Sequence, residues 1–210
     1  MHSEQWLQSE LSGLQEKHLK RSLKTYPQAG GKIEIEGRTF LNFSSNDYLD
    51  FARRPEIAAR ARQALNQAGT GAGSSRLVSG SLTLHEQLET AVAAHKGYPQ
   101  SLVFGSGFLT NLGVIPALVG RGDTIFADKL VHASIIDAIR LSRAKLVRFH
   151  HNDSEHLAAQ LKRRRGNGRC LIVTESVFSM DGDLAPLNDI AELALQHDAM
   201  LMVDEAHATG

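Results

Sequence analysis

Cys170 is the only cysteine among 210 residues, which excludes an internal disulfide and any four-cysteine zinc site. Because it opens the apolar run CLIVTE, its thiol reads as a small core residue and not as a nucleophile. Charge of one sign is also missing: 23 Lys and Arg balance 23 Asp and Glu. The basic excess of a nucleic-acid or membrane-surface binder is therefore absent. The one dense basic run, KRRRGNGR from Lys162 to Arg169, lies between a helical pattern and a strand and reads as a solvated loop. No window approaches the roughly 18 apolar residues of a membrane span. The amino terminus, MHSEQWLQSELSGLQ, has no basic block followed by a long apolar one, so it does not read as a secretory signal. A cytoplasmic protein with no nucleic-acid or membrane partner is the expectation.

A phosphate cradle of the form G-x-x-x-x-G-K-[ST] is missing as well. The only Gly-Lys pair, Gly31-Lys32, is followed by Ile33, and Tyr26 stands where the first glycine belongs. Without that cradle, the carboxyl-terminal LMVDEAHATG is not the magnesium-holding strand of a nucleotide-driven motor.

What is present is a hydrophobic content of 42%, enough for one good-sized domain with a core. The first segment, with Trp6, Leu7, Leu11, Leu14, Leu19 and Leu23 on its apolar positions, predicts an amphipathic helix to about Lys24. TYPQAGGK breaks it at Pro27, Gly30 and Gly31, and KIEIEG with RTFLNF predicts a small hairpin around Gly37. Residues 1–45 thus read as a helix-and-hairpin arm on a main domain spanning 46–210.

From Arg54 onward, helical and strand patterns alternate. PEIAARARQALNQA is predicted helical, with Pro55 in its favoured first position. The glycine-rich GTGAGSSRLVSGS is a loop, and TLHEQLETAVAAH is a helix with Thr83 and Glu86 at capping-box spacing. Strands are predicted at SLVF, DTIFAD, AKLVRFH, RCLIVTE and AMLMVDE, with helices at FLTNLGVIPALV, HASIIDAIRL, DSEHLAAQLKR and LNDIAELALQHD. Short, continuously apolar strands between helices imply an α/β fold whose mostly parallel sheet is covered on both faces. Ligands gather at the carboxyl ends of such strands. That rule selects Gly105 to Phe108, Asp128, Glu175 to Ser179 and Asp204 to His207.

GSGFLT follows a strand pattern and opens a helix, with Asp128 about 20 residues on, as a dinucleotide fingerprint asks. Thr110 occupies the third glycine position, however, so only the general feature stands: the amides of Gly107 and Phe108 form an anion site at a helix amino terminus. Taken singly, Asp204 reads as a cap, His207 as a surface residue, His132 as a helix start and Ser179 as a turn. Taken together, they supply what a phosphorylated pyridine ring needs. Asp204 is a carboxylate for the ring nitrogen and His132 a flat partner for its face. His207 and Ser179 are groups for a phenolic oxygen, and Gly107 and Phe108 are amides for the phosphate.

The stretches LNFSSNDYL, GSSRLVSGS, HEQLE, FGSGFLTN, DKLVHASIIDA, FHHND, TESVFSMDGDLAPL and VDEAHATG resemble the α-oxoamine synthases, within the aspartate-aminotransferase-like (fold type I) pyridoxal-phosphate enzymes. That resemblance implies a homodimeric acyltransferase with pyridoxal 5'-phosphate as cofactor and no metal. Its reaction is a decarboxylative condensation of an amino acid with an acyl thioester. Among the members, the biotin-pathway enzyme that joins L-alanine to a pimeloyl thioester is matched best, ahead of the glycine acetyltransferase and the other α-oxoamine synthases.

Carried over, the resemblance gives Asp204 the ring nitrogen, His207 and Ser179 the phenolic oxygen, and His132 the ring face and substrate selection. His132, Asp204 and His207 become the catalytic residues. Gly107 and Phe108 hold phosphate, and Arg21 and Asn46 approach the substrate. Asp50 departs from the family, which usually has glycine after NDYL. The Schiff-base lysine and small carboxyl-terminal domain of the family would lie beyond these residues. The chain is accordingly expected to be a truncated large domain, inactive by itself. Outside the enzyme class, a non-catalytic protein that kept the cofactor pocket remains open.

Overall fold

The computed structural model describes residues 2–26, 30–164 and 166–209. Pro27 of the predicted break, Arg165 of the basic run and Gly210 lie outside the described residues. Two compact units divide the chain, Met1–Ala68 and Gly69–Gly210.

In the first unit, α1 runs over His2–Glu16 and stops short of the predicted Lys24. The cause is a left-handed residue, His18 at φ 54°, with Leu19 N–H reaching back to the Leu14 carbonyl at 2.8 Å. That is the usual way of terminating a helix, here without the glycine that signals it in sequence. Arg21 therefore lies in the coil beyond α1 and not in the helix. The predicted hairpin forms as β1 (Lys32–Ile35) and β2 (Arg38–Leu41), antiparallel with Ile35 opposite Arg38. Its two turn residues, Glu36 and Gly37, both have positive φ (51° and 73°), as the twist of a two-residue hairpin requires. Helix α2 occupies Pro55–Ala68.

The second unit begins with the glycine-rich loop, which contains one π-helical turn, Arg76–Gly80. Helix α3 (Thr83–Lys96) follows and ends at Gly97, left-handed at φ 72°. The predicted Thr83–Glu86 capping box is corrected: Thr83 already lies inside the helix, and the Leu82 N–H donates to His85 Nδ1 at 2.9 Å. SLVF is likewise no strand among the described residues. It is held instead by Glu89, whose carboxylate accepts the Val103 N–H at 2.9 Å and takes both arms of Arg76 at 2.7 and 3.0 Å. This bidentate guanidinium holds the Glu89 carboxyl down at about 2.

Beyond it come α4 (Gly107–Leu118), β3 (Thr124–Asp128), α5 (Ala133–Ser142) and β4 (Lys145–Phe149). Then follow α6 (Ser154–Lys162), β5 (Cys170–Glu175), α7 (Leu187–Gln196) and β6 (Met200–Asp204). The four strands form one parallel sheet in the order β4-β3-β5-β6. The period of two along each strand sends alternate side chains to opposite faces. Ile125, Ala127, Leu171 and Val173 pack with Ile115 of α4 and Ile135 and Ile139 of α5. Phe126, Phe149, Cys170 and Ile172 pack with Leu157 and Leu161 of α6 and Ile190 of α7. Helices thus cover both faces, as the apolar runs predicted, and Cys170 is the buried core residue expected.

The chain order reverses between β3 and β5, because β4 lies outside β3 and β6 outside β5. A crevice at the carboxyl ends of the strands is the product of such a reversal. No helix among the described residues is long and apolar enough to cross a membrane.

Asp50, the departure noted from sequence, adopts φ 55°, a left-handed conformation that glycine takes freely and a β-branched residue resists. Asp50→Val is expected to cost about 1–2 kcal/mol, whereas Asp50→Gly leaves stability unchanged or raises it. Denaturant midpoints of the two variants check this, and a Val variant as stable as the Gly variant would contradict it.

Candidate active site

Three neighbouring strands, β3, β5 and β6, each end in an acid: Asp128, Glu175 and Asp204. Asp204 is part-buried, and its Oδ1 accepts the Ala206 N–H at 3.0 Å while its Oδ2 accepts Asn111 Nδ2 at 3.2 Å. Glu175 is 3% exposed, and its Oε1 accepts the His132 N–H at 2.5 Å. Burial pushes the Glu175 carboxyl above its ordinary range and the nearby Asp204 charge adds to this, against the hydrogen bonds from the His132 and Ser179 amides.

His132 is the N-cap of α5: its Nδ1 accepts the Ser134 N–H at 3.2 Å and lies 2.7 Å from Ser134 Oγ. The amino terminus of α4 is capped by Ser106, whose side chain accepts the Leu109 N–H at 3.2 Å. The first N–H groups of a helix have no partner within it and carry the positive end of its dipole.

These ends surround one cavity of about 200 Å³. Gly107, Phe108 and Asn111 line it from α4, and His132 and Ser134 from the start of α5. Glu175 and Ser179 contribute after β5, and Asp204, Ala206 and His207 after β6. All six residues expected from sequence to hold the cofactor, Gly107, Phe108, His132, Ser179, Asp204 and His207, are thus brought together. Asn111 and Ser134 received no role in the sequence reading, and Glu175 was selected there only as a strand end, with no contact assigned to it. Asn111 carried one signal: with Thr110 it is one of two polar residues in the mostly apolar helix GFLTNLGVIPAL, one turn after the glycine that opens it.

The cavity is smaller than the ~300–1,000 Å³ of larger ligand sites, which suits one small ring better than a dinucleotide. Its lining holds two carboxylates, Glu175 and Asp204, and no Lys or Arg among the described residues. A cationic ring nitrogen would complement that charge, and an anionic phosphate would suit the α4 amino terminus. A Cβ on Gly107 would meet nothing within 4 Å beyond its chain neighbours and its own helix backbone, so the helix entrance stands open. These features fit a phosphorylated pyridine.

Asp128 does not line the cavity, and the ribose partner of a dinucleotide site is therefore not there. Its fully buried carboxylate accepts the Leu130 and Asn152 N–H groups at 2.8 and 2.9 Å and holds His151 Nδ1 at 2.9 Å. The other ring nitrogen of His151 meets Asp183 Oδ2 at 2.7 Å. Both nitrogens face carboxylates, so both are called on to donate. Glu205 of the DEAH stretch belongs to a separate contact, with Lys96 Nζ at 2.6 Å. Arg21 and Asn46 lie in the first unit, where Asn46 Oδ1 accepts from Tyr48 Oη at 3.5 Å.

Residues 38–210 match the sequence model of the family described as aminotransferase class I and II. An 8-amino-7-oxononanoate synthase of Pelobacter propionicus is 52% identical over 205 residues, which are 97% of this chain and 52% of that protein. One from Geobacter sulfurreducens is 51% identical over 202 residues, 96% of this chain and 52% of its own length. The chain spans about half the length of the curated relatives it matches. Among solved structures, the Sphingomonas wittichii serine palmitoyltransferase superposes with a TM-score of 0.85 at 33% identity, covering 95% of this chain and 51% of that one. A serine palmitoyltransferase from S. paucimobilis with a bound PLP–myriocin adduct gives 0.85 at 32% identity, with coverages of 95% and 52%. The Francisella tularensis 8-amino-7-oxononanoate synthase gives 0.62 at 32% identity, with coverages of 78% and 44%.

The clamp on His151 has a pH signature. Burial alone would lower its pKa, but the hydrogen bonds and charges of Asp128 and Asp183 outweigh it and raise the value. A folded-state pKa above the unfolded value, about 6.5, gives stability that is complete below that pH and is lost as pH rises through the folded value. The stability gap between the parent and His151→Gln should therefore shrink from about pH 6 to pH 9. Chemical denaturation at both pH values measures it, and a gap that widens on going alkaline would refute the clamp.

Proposed function

Because the chain belongs to the class I and II aminotransferase family, we propose that it is the cofactor-holding part of a pyridoxal-phosphate acyltransferase, an 8-amino-7-oxononanoate synthase. The observation that carries this reading is the convergence of Asp204, His207, Ser179, His132 and the α4 amino terminus on one cavity. The reaction is the condensation of L-alanine with a pimeloyl thioester, on coenzyme A or a carrier protein, with release of the thiol and CO₂. Relatives of that name at 51–52% identity favour this substrate pair over those of other α-oxoamine synthases. Chain coverage of about half those relatives assigns the activity to the whole protein. The resemblance makes a cytoplasmic homodimer the expected assembly.

When bound, the protonated pyridine ring of the cofactor supplies an electron sink for charge developing at the amino acid's α-carbon. Asp204, with its two oxygens fixed by Ala206 N–H and Asn111 Nδ2, places a directed negative charge that keeps the ring nitrogen's proton in place. The amides of Gly107 and Phe108 bind phosphate at the positive end of α4. His132, which lines the cavity, would offer its imidazole to the ring face and help select substrate. His207 and Ser179 address the phenolic oxygen. Glu175 supports two of these residues through the backbone N–H groups of His132 and Ser179. Arg21 and Asn46 act on the substrate side.

The whole protein, supplied with pyridoxal phosphate, is expected to turn over L-alanine with pimeloyl-CoA and to form 8-amino-7-oxononanoate detectable by mass spectrometry. Glycine with acetyl-CoA should give little product. Asp204→Asn should lower kcat/KM at least ~100-fold, the scale of a lost electrostatic contact in a closed site. Preference for the glycine pair would redirect the substrate assignment, and an unimpaired Asp204→Asn would overturn the site.

A further inference from the structure

Asn111 and Ser134 are buried polar residues, 4% and 0% exposed, on different helices and far apart in sequence. Neither is a residue that holds cofactor or substrate in the reading above. Yet they join two that do: Asn111 Nδ2 lies 3.2 Å from Asp204 Oδ2 and 2.9 Å from Ser134 Oγ, and Ser134 Oγ lies 2.7 Å from His132 Nδ1. We propose that Asn111 and Ser134 are positioning residues, a hydrogen-bond relay that fixes the Asp204 carboxylate and holds the His132 ring as its Nε2–H tautomer.

The polarity of the relay follows from counting hydrogens. An ionised carboxylate only accepts, so Asn111 must turn its amide NH₂ toward Asp204, and its carbonyl oxygen cannot occupy that place. The NH₂ has two hydrogens, and the second goes to Ser134 Oγ. That hydroxyl, already accepting from Asn111, has a single hydrogen of its own, and His132 Nδ1 stands at 2.7 Å to receive it. The Ser134 backbone N–H points to the same nitrogen at 3.2 Å. Two donors aimed at Nδ1 leave no room for a proton there, so the ring carries its proton on Nε2. Each end of the relay is thereby defined by the other. The His132 ring offers a donor, not a lone pair, from the nitrogen turned away from Ser134. Its role is then to orient a bound group by donation and not to remove a proton.

The consequence for cofactor binding rests on the function proposed above, but the tautomer does not, and the two are tested apart. In the cofactor-free whole protein with ¹⁵N-labelled histidine, long-range ¹⁵N–¹H correlation reads the protonation of each ring nitrogen. His132 is assigned by subtracting the spectrum of His132→Gln. His132 should show a bare Nδ1 and a protonated Nε2 in the parent, and a mixture of tautomers in Ser134→Ala. A protonated Nδ1 in the parent, or a pattern unmoved in Ser134→Ala, overturns the relay whatever the cofactor does. With pyridoxal phosphate added, Asn111→Leu should weaken binding about 10–100-fold, the scale of leaving buried polar groups unpaired. It should also move the pH profile of the bound cofactor's absorbance, a spectroscopic change that a packing defect alone would not cause. Unchanged affinity and pH profile in a folded Asn111→Leu overturn the Asp204 half of the relay. If the parent shows the Nε2–H tautomer but binds no pyridoxal phosphate, the relay stands and the cofactor assignment falls.

Discussion

A carboxylate at the buried end of a strand must find donors or pay heavily for leaving water, and three adjacent strands of this sheet end that way. Asp128 gathers the Leu130 and Asn152 amides and the His151 ring. Glu175 gathers the His132 amide. Asp204 gathers the Ala206 amide and the Asn111 side chain. Each acid therefore shapes the loop that follows its own strand or a neighbour's. The ordering of the crevice is in this sense a by-product of satisfying three charges. The sheet sets where the acids stand, and the acids set where the loops go.

The three acids do not end in the same role. Asp128 is wholly enclosed, tied to two amides and an imidazole, and plays a supporting part. Glu175 is nearly as buried and holds backbone of the flanking loops. Asp204 is only part-buried and faces the cavity, with two of its acceptor positions committed to protein. A carboxylate has about four lone-pair sites, so Asp204 retains capacity for a ligand that the geometry of β6 presents to the cavity. Identical chemistry at three strand ends is thus sorted into structural and functional use by exposure and by the number of donors already met.

Much of this was legible in sequence because it depends on local pattern. TIFAD, CLIVTE and MLMVD are continuous apolar runs ending in an acid, and the rule that ligands meet at carboxyl ends pointed to Asp204, His207 and Ser179 without any coordinates, with His132 marked separately as the start of the helix just past TIFAD. The hairpin was legible because Gly37 sits where a positive φ is needed. What was not legible depends on partners remote in sequence or on conformations with no compositional mark. Helix α1 ends at Glu16 through a left-handed histidine, where a glycine would have announced the stop. SLVF has the composition of a strand, yet it is pinned by Glu89 and Arg76 and joins no sheet among the described residues. Thr83 and Glu86 have capping spacing, but His85 supplies the bond one position earlier. Asn111 meets Asp204 across 93 positions, a pairing that only the fold brings about.

Before any ligand arrives, the site is already tense with fixed direction. The Asp204 oxygens, the His132 backbone and the His132 ring are each held by protein donors or acceptors. Preorganised dipoles and charges are effective because they need no rearrangement when charge develops in a bound group. Solvent, by contrast, would have to reorient. A long, flexible side chain in place of Asn111 would lose that advantage through its own rotamer freedom, even if it reached Asp204. The short amide, anchored on the buried face of α4 and spending both hydrogens on neighbours, has no such freedom. The same helix whose open end suits a phosphate thus carries, one turn further in, the group that orients the carboxylate, so that a single rigid element registers both ends of the site.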